Sequence, residues 1–71
     1  MNIPDRLISY YGSPAGVCEA LSIPSSLLVA WRRKGFIPER NALSVEELGM
    51  GITAQDVLRE AREVGKDRNV L

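Results

Sequence analysis

The sequence has no histidine and only one cysteine, Cys18, among its 71 residues. Zinc and copper sites in proteins draw mainly on these two side chains, so a protein-bound metal is not expected. The same scarcity removes the Cys–His and Ser–His pairs of nucleophilic enzymes and the most common general base. We also find no glycine-rich phosphate loop and no carboxylates in a recognisable acid/base motif. We therefore expect no enzyme, no cofactor and no small-molecule ligand, and we interpret Cys18 as a small buried apolar residue.

Long hydrophobic runs are also missing. The longest, residues 27–31, has five residues, whereas a helix that spans a bilayer needs about 20. The first residues lack the basic region and apolar stretch of a secretion signal. We therefore expect a cytoplasmic protein with no membrane partner. A chain of this length forms one domain with a small core, which favours a homodimer in which each subunit covers apolar surface of the other.

Net charge is zero, but the charges are unevenly distributed along the chain. Residues 25–40 carry four basic side chains and one acidic one, whereas residues 41–64 carry five acidic side chains and two basic ones. The basic stretch has two interpretations: it is either a solvated face or a surface that binds a polyanion such as nucleic acid.

Glycine, proline and capping residues divide the chain into predicted helices. Ser13 followed by Pro14 is typical of a helix start, and Thr53 with Asp56 resembles a capping box. No stretch alternates like a strand between turn residues. The pattern predicts an all-α fold of five short helices, at about residues 4–11, 14–21, 25–34, 38–48 and 54–64. Gly65 is predicted to end the fifth helix, so that residues 1–65 form the domain and residues 66–71 a flexible tail.

Apolar residues at helical spacing identify the faces that should be buried. The second helix should bury one side, the turn after it should bury Ile23, and the third helix should bury Leu28 and Trp31. The full set of expected core residues comprises Leu7, Ile8, Tyr11, Val17, Cys18, Ala20, Leu21, Ile23, Leu27, Leu28, Trp31, Ala42, Val45, Leu48, Val57, Leu58, Ala61 and Val64. Two short helices joined by a three- or four-residue turn and followed by basic residues are typical of a helix-turn-helix, here at about residues 14–34.

The segment that contains this motif resembles the Cro-type repressors of lambdoid phages and prophages: YYGSPAGVCEALSIPSSLLVAWRRKGFIPERNALSVEEL. The resemblance rests on the Gly-Ser start of the second helix, on EALSI leading into the turn, on the Trp that ends the apolar set of the third helix, and on IPE before the fourth. It departs from the usual pattern at Ser22, where the turn commonly has Gly, and at Cys18, where Ala is common.

This resemblance implies a lambda-repressor-like fold and a dimeric repressor that binds double-stranded operator DNA. Lysogeny-activating proteins of the same phages share the Trp-basic-Ile-Pro arrangement. An activator or an excision-type DNA-binding protein is therefore an alternative. A further alternative, from another class, is a protein-interaction module in which the stripe of residues 27–31 binds a partner helix.

A helical wheel of residues 25–34 separates two sides of the third helix. Leu27, Leu28 and Trp31 lie on the side that should face the protein. The opposite side should enter the major groove of DNA, and it carries Ser25, Ser26, Val29, Ala30 and Arg33. Arg33 is the best candidate for a bidentate bond to guanine. Val29 and Ala30 either contact thymine methyl groups or are simply small exposed apolar residues.

Other residues are candidates for contacts with phosphates. Arg32, Lys34 and Arg40 are basic, and the Ser13 hydroxyl lies at the positive end of the second helix. The candidates for a dimer surface are Phe36, Met50, Ile52, Val64, Val70 and Leu71. Phe36 and Ile52 have the alternative of completing the core of the monomer.

Overall fold

In a computed structural model, which describes residues 1–68, the chain is all-helical and these residues contain no strand. The predicted all-α class with five helices is therefore confirmed for this part of the chain. The helices are α1 (Ile3–Tyr11), α2 (Pro14–Leu21), α3 (Ser25–Lys34), α4 (Ala42–Glu46) and α5 (Ala54–Arg68), and a 3-10 turn (Glu39–Asn41) precedes α4.

Local capping bonds start three of the helices. The Ser13 hydroxyl accepts the N–H of Gly16 at 3.1 Å, as its place before Pro14 predicts. Thr53 and Asp56 form the predicted capping box, with reciprocal bonds of 3.0 and 3.1 Å. The backbone N–H of Thr53, and then its hydroxyl, hold the pKa of the Asp56 carboxyl below its usual value. The cap of α1 escaped prediction: Asn2 accepts the N–H of Asp5, so the helix begins at Ile3 rather than at residue 4.

The fourth helix is shorter than the predicted 38–48. Its first turn, Glu39–Asn41, is a 3-10 turn, and α4 itself ends at Glu46. The backbone N–H groups of Leu48 and Gly49 donate three residues back, to Val45 and Glu46, which tightens the end of the helix before the left-handed Gly49.

The prediction that Gly65 ends the fifth helix is wrong, because α5 continues to Arg68. A glycine ends a helix when it adopts a positive φ, as Gly12 and Gly35 do after α1 and α3. Gly65 keeps the helical conformation, and a Cβ there would lie 3.6 Å from the ring of Phe36. Residues 66–68 of the predicted tail therefore belong to α5, and residues 69–71 lie outside the described residues.

One hydrophobic core receives side chains from all five helices. Its fully buried apolar members are Ile3, Leu7, Val17, Leu28, Trp31, Ile37, Ala42, Val45, Ile52 and Val57. The partly buried residues packed against it include Ile8, Tyr11, Cys18, Leu21, Ile23, Leu27, Leu48, Met50, Ala54 and Leu58. Most of the predicted core is confirmed, but Ala20 is exposed. At about 100° per residue, one flank of α2 carries Val17, Leu21 and Cys18. Ala20 lies in the other direction around the helix from Val17, so it falls outside this flank.

The α2–α3 pair is built around a sharp turn of three residues. The two helix axes are bent by 111° relative to each other. Ser22 has φ 56° and ψ 46°, and its N–H donates to the carbonyl of Glu19 while that of Ile23 donates to Cys18. This is the Schellman arrangement, with serine in the left-handed position that glycine usually takes. It explains in physical terms why glycine is common at this point of the turn.

No single helix among the described residues is long and apolar enough to cross a membrane. The bent α2–α3 pair meets this criterion when its two helices are counted together, by length and composition only. The buried side chains of this pair are Val17, Leu28 and Trp31.

A hydrogen bond joins the start of α1 to α5. The Glu60 carboxylate on α5 accepts the backbone N–H of Ile3 at 2.9 Å, with its second oxygen at 3.2 Å. Partial burial raises the pKa of Glu60, against the opposing effect of this bond. Because Ile3 begins α1, the bond anchors the start of α1 on α5.

Candidate nucleic-acid interface

The third helix has one buried and one exposed side, divided within residues 27–31. Leu28 and Trp31 are 2% and 1% exposed, whereas Val29 is 52% exposed. Leu27 packs partly against the core, as its position on the helical wheel predicts. Ala30 is half-buried, and Ser25, Ser26 and Arg33 are exposed. The apolar run therefore belongs to two surfaces, of which the inner one holds α3 in place.

The outer side of α3 carries two shallow hollows separated by a ridge. Val29 and Arg33 are one helical turn apart, and they border both hollows. The first hollow is completed by Ser26, Ala30 and Lys34. The second is completed by Arg32 and by a residue from another helix, Asp5 of α1. The predicted base-reading residues are thus brought together on one face, with the exception of Ser25, which is exposed at the start of α3.

Asp5 is the member of this face that sequence reasoning missed. Its carboxylate lies 3.8 Å from the Nε of Arg32, and both side chains are about half exposed. An ion pair with this exposure contributes little to stability, about 0–1 kcal/mol. No local pattern could have identified Asp5, because its place beside Arg32 depends on how α1 crosses α3.

Two predicted phosphate-binding residues lie away from the two hollows. Ser13 is half-buried at the start of α2, where its oxygen is engaged as the cap of that helix. A hydroxyl that accepts one hydrogen bond still has its own hydrogen to donate. Arg40 is exposed on the 3-10 turn before α4. They can join one interface only if the bound surface extends beyond α3 to the start of α2 and to the 3-10 turn.

The side-chain charges near the end of α3 favour an anion. The basic residues Arg32, Arg33 and Lys34 occupy its last turn, and the negative end of the helix dipole, about half a charge, stabilises these cations and offsets only part of their attraction for an anion. All three are exposed at the surface. The acidic residues that balance them in the sequence, in the stretch 41–64, lie on α4 and α5 and in the segment between them. The chain is therefore neutral overall but locally basic along one helix.

In the alternative of a protein-interaction module, a partner helix binds the stripe of residues 27–31, and two of these side chains are buried in this fold. Leu28 and Trp31 would have to leave the core to meet a partner. Of the five apolar side chains, Val29 is the one that is largely exposed.

Comparison with known proteins gave no match to a family model, to a curated protein or to a solved structure. The resemblance to Cro-type repressors therefore depends on the residues quoted above.

Proposed function

We propose that this protein is a sequence-specific repressor of the Cro type that binds double-stranded operator DNA with α3 in the major groove. The observation that carries the proposal is the division of residues 27–31. Two of its large side chains anchor α3 in the core, and Val29 and Arg33 stand outward as a ridge. The steep α2–α3 angle of 111° lies within the range that helix-turn-helix motifs adopt, about 90–120°.

In the proposed complex the ridge reads base edges. Arg33 donates two parallel hydrogen bonds to O6 and N7 of a guanine. Val29 and Ala30 contact thymine C5-methyl groups, the apolar feature of the major groove. Ser25 and Ser26 are exposed at the leading end of α3, which is the part of a recognition helix that approaches the bases.

Phosphate contacts position the protein without reading sequence. Lys34 and Arg32 flank the reading face on α3. Arg40, which is exposed, and Ser13, which is half-buried, are the proposed phosphate contacts outside α3. This number of basic contacts is modest. We therefore expect weak binding by one subunit and a shallow dependence on salt.

A homodimer on a pseudo-palindromic operator increases this affinity, with half-sites about 34 Å apart. Of the dimer candidates, Ile52 must be withdrawn because it is 2% exposed in the monomer's core. Met50 packs partly against the same core, and Phe36 lies against Gly65. Val70 and Leu71 lie outside the described residues. Sedimentation with and without DNA tests whether a dimer forms before binding.

The experiment that tests the proposal is a selection of tight binders from random duplexes, followed by affinity measurements at several salt concentrations. We expect a defined, pseudo-palindromic site, and affinity that falls as salt rises. Failure to enrich any sequence, with no salt-sensitive binding, would overturn the proposal. A footprint then gives the sign of regulation: overlap with the −35/−10 region means repression, and a site beside it means activation.

A further inference from the structure

Asp5 is an acidic side chain on a surface that is proposed to bind DNA, which is itself acidic. Asp5 lies on the wall of the same hollow as Val29 and Arg33, the two residues of the ridge. Its carboxylate is 46% exposed and is therefore accessible to a ligand in that hollow. Phosphates repel a carboxylate, so Asp5 weakens binding to every duplex unless something in the right duplex compensates for it.

Arg32 supplies part of the compensation from within the protein. Its Nε lies 3.8 Å from the Asp5 carboxylate, and a guanidinium has five N–H donors in total. Arg32 can therefore neutralise Asp5 and still donate to a phosphate at its outer end. This arrangement keeps a carboxylate at the groove-facing surface without leaving its charge unpaired.

We propose that Asp5 is a specificity-determining residue whose carboxylate accepts a hydrogen bond from the N4 amino group of a cytosine, in the base pair next to the guanine read by Arg33. In the major groove cytosine presents an amino donor without an adjacent ring acceptor, whereas guanine O6, thymine O4 and the N7 beside the amino group of adenine are acceptors that a carboxylate repels. Base contacts then lie on both flanks of the ridge. On the side of Ala30 the protein contacts thymine methyl groups, and on the side of Asp5 it binds an amino group. This inference rests on the proposed function.

The test uses the full chain and a duplex obtained by selection, in which that cytosine is replaced by 2-pyrimidinone, a cytosine analogue without the 4-amino group. We expect the wild type to lose about tenfold in affinity. Asp5→Ala, which removes the acceptor together with the charge, should bind both duplexes with similar affinity. It should also bind a scrambled duplex about fivefold more tightly than the wild type does, because one negative charge near the phosphates is gone.

Glu47→Ala is the matched control, since it removes an exposed carboxylate just after α4, from a residue that does not line the hollow. It should leave both affinities within about twofold of the wild type. Asp5→Leu, which also removes both the charge and the acceptor, repeats the test if the alanine variant fails to fold by circular dichroism.

The outcomes distinguish a failure of the proposed function from a failure of the inference about Asp5. If the wild type selects no sequence, the proposed function fails and this inference fails with it. If the wild type selects a site but tolerates the analogue, or if Asp5→Ala retains the wild-type preference, the inference about Asp5 is wrong and the proposed function stands.

Discussion

Leu28 and Val29 are consecutive residues of α3, but 2% of the first side chain and 52% of the second is exposed to solvent. A helix turns by about 100° per residue, which is enough to move the next side chain from the core to the surface. Two similar aliphatic residues therefore have different roles, and substituting each of them should have a different effect on stability.

Leu28→Ala should lower the free energy of unfolding by about 2–5 kcal/mol, because it leaves a cavity in the core. Val29→Ala should change it by about 0.5 kcal/mol or less, since the side chain is mostly in water. Urea denaturation measures both values. Equal losses for the two variants would mean that Val29 is packed and that the division of α3 is wrong.

Val29 should instead affect base recognition. Replacing a contacted thymine by uracil removes its methyl group, so we expect the wild type to bind the uracil duplex several-fold more weakly. Val29→Ala should discriminate less between the two duplexes while it keeps the wild-type stability. Unchanged discrimination would support the simpler interpretation of Val29 as an exposed residue without a role in binding.

Ser22 is the place where the turn of α2 and α3 has a strained backbone. A non-glycine residue in the left-handed region costs about 1–2 kcal/mol, and glycine loses about 0.5–1 kcal/mol more conformational freedom on folding. Ser22→Gly should therefore raise the free energy of unfolding by about 0.5–1 kcal/mol, the difference between these terms.

Ser44→Gly is the matched control for this prediction. Ser44 is exposed within α4, where glycine is a poorer helix former than serine by about 0.5 kcal/mol. The same substitution should thus stabilise the protein at one position and destabilise it at the other. Destabilisation at both positions would contradict the strain assigned to Ser22.

Asp56 should make stability depend on pH in the acidic range. Its pKa is lowered in the folded chain, mainly by the backbone N–H of Thr53. Between that pKa and the unfolded value, about 4, the unfolded chain binds more protons, so stability falls as the pH is lowered. Asp56→Asn should be less stable than the wild type above about pH 5, and the difference should shrink toward pH 2.5.

Chemical denaturation at a series of pH values measures this difference. Glu60 contributes a slope of the opposite sign in the wild type and the variant alike, because burial raises its pKa and its stabilising effect declines as the pH rises. The slope of Glu60 therefore cancels in the comparison. A difference that stays constant with pH would show that Asp56 stabilises the helix without its charge.

Features of the fold determined by neighbouring residues were predictable from the sequence. The bounds of α2 and α3 agree with prediction because the cap at Ser13 and the left-handed residues at Ser22 and Gly35 act locally. Features that depend on packing were not predictable: Gly65 keeps a helical conformation within α5 and lies beside Phe36, 29 residues away.

The same distinction holds for the candidate interface. Helical periodicity alone separated Val29 and Arg33 from Leu28 and Trp31. Asp5 is distant from α3 in the sequence, and only the crossing of α1 and α3 places it beside Arg32. A single sequence contains no signal for that contact.

If the exposed ridge of α3 reads DNA, the adjacent basic residues Arg33 and Lys34 should have different effects on binding, and comparing their alanine variants tests this most directly. On duplexes that vary the proposed guanine, Arg33→Ala should bind all four base pairs with similar affinity, a loss of about 1–3 kcal/mol of discrimination. Lys34→Ala should bind every duplex more weakly but keep the wild-type order of preference, with a salt slope reduced by about 1. If Arg33→Ala retained the wild-type order of preference, Arg33 would not be the reading residue and the account of α3 would be contradicted.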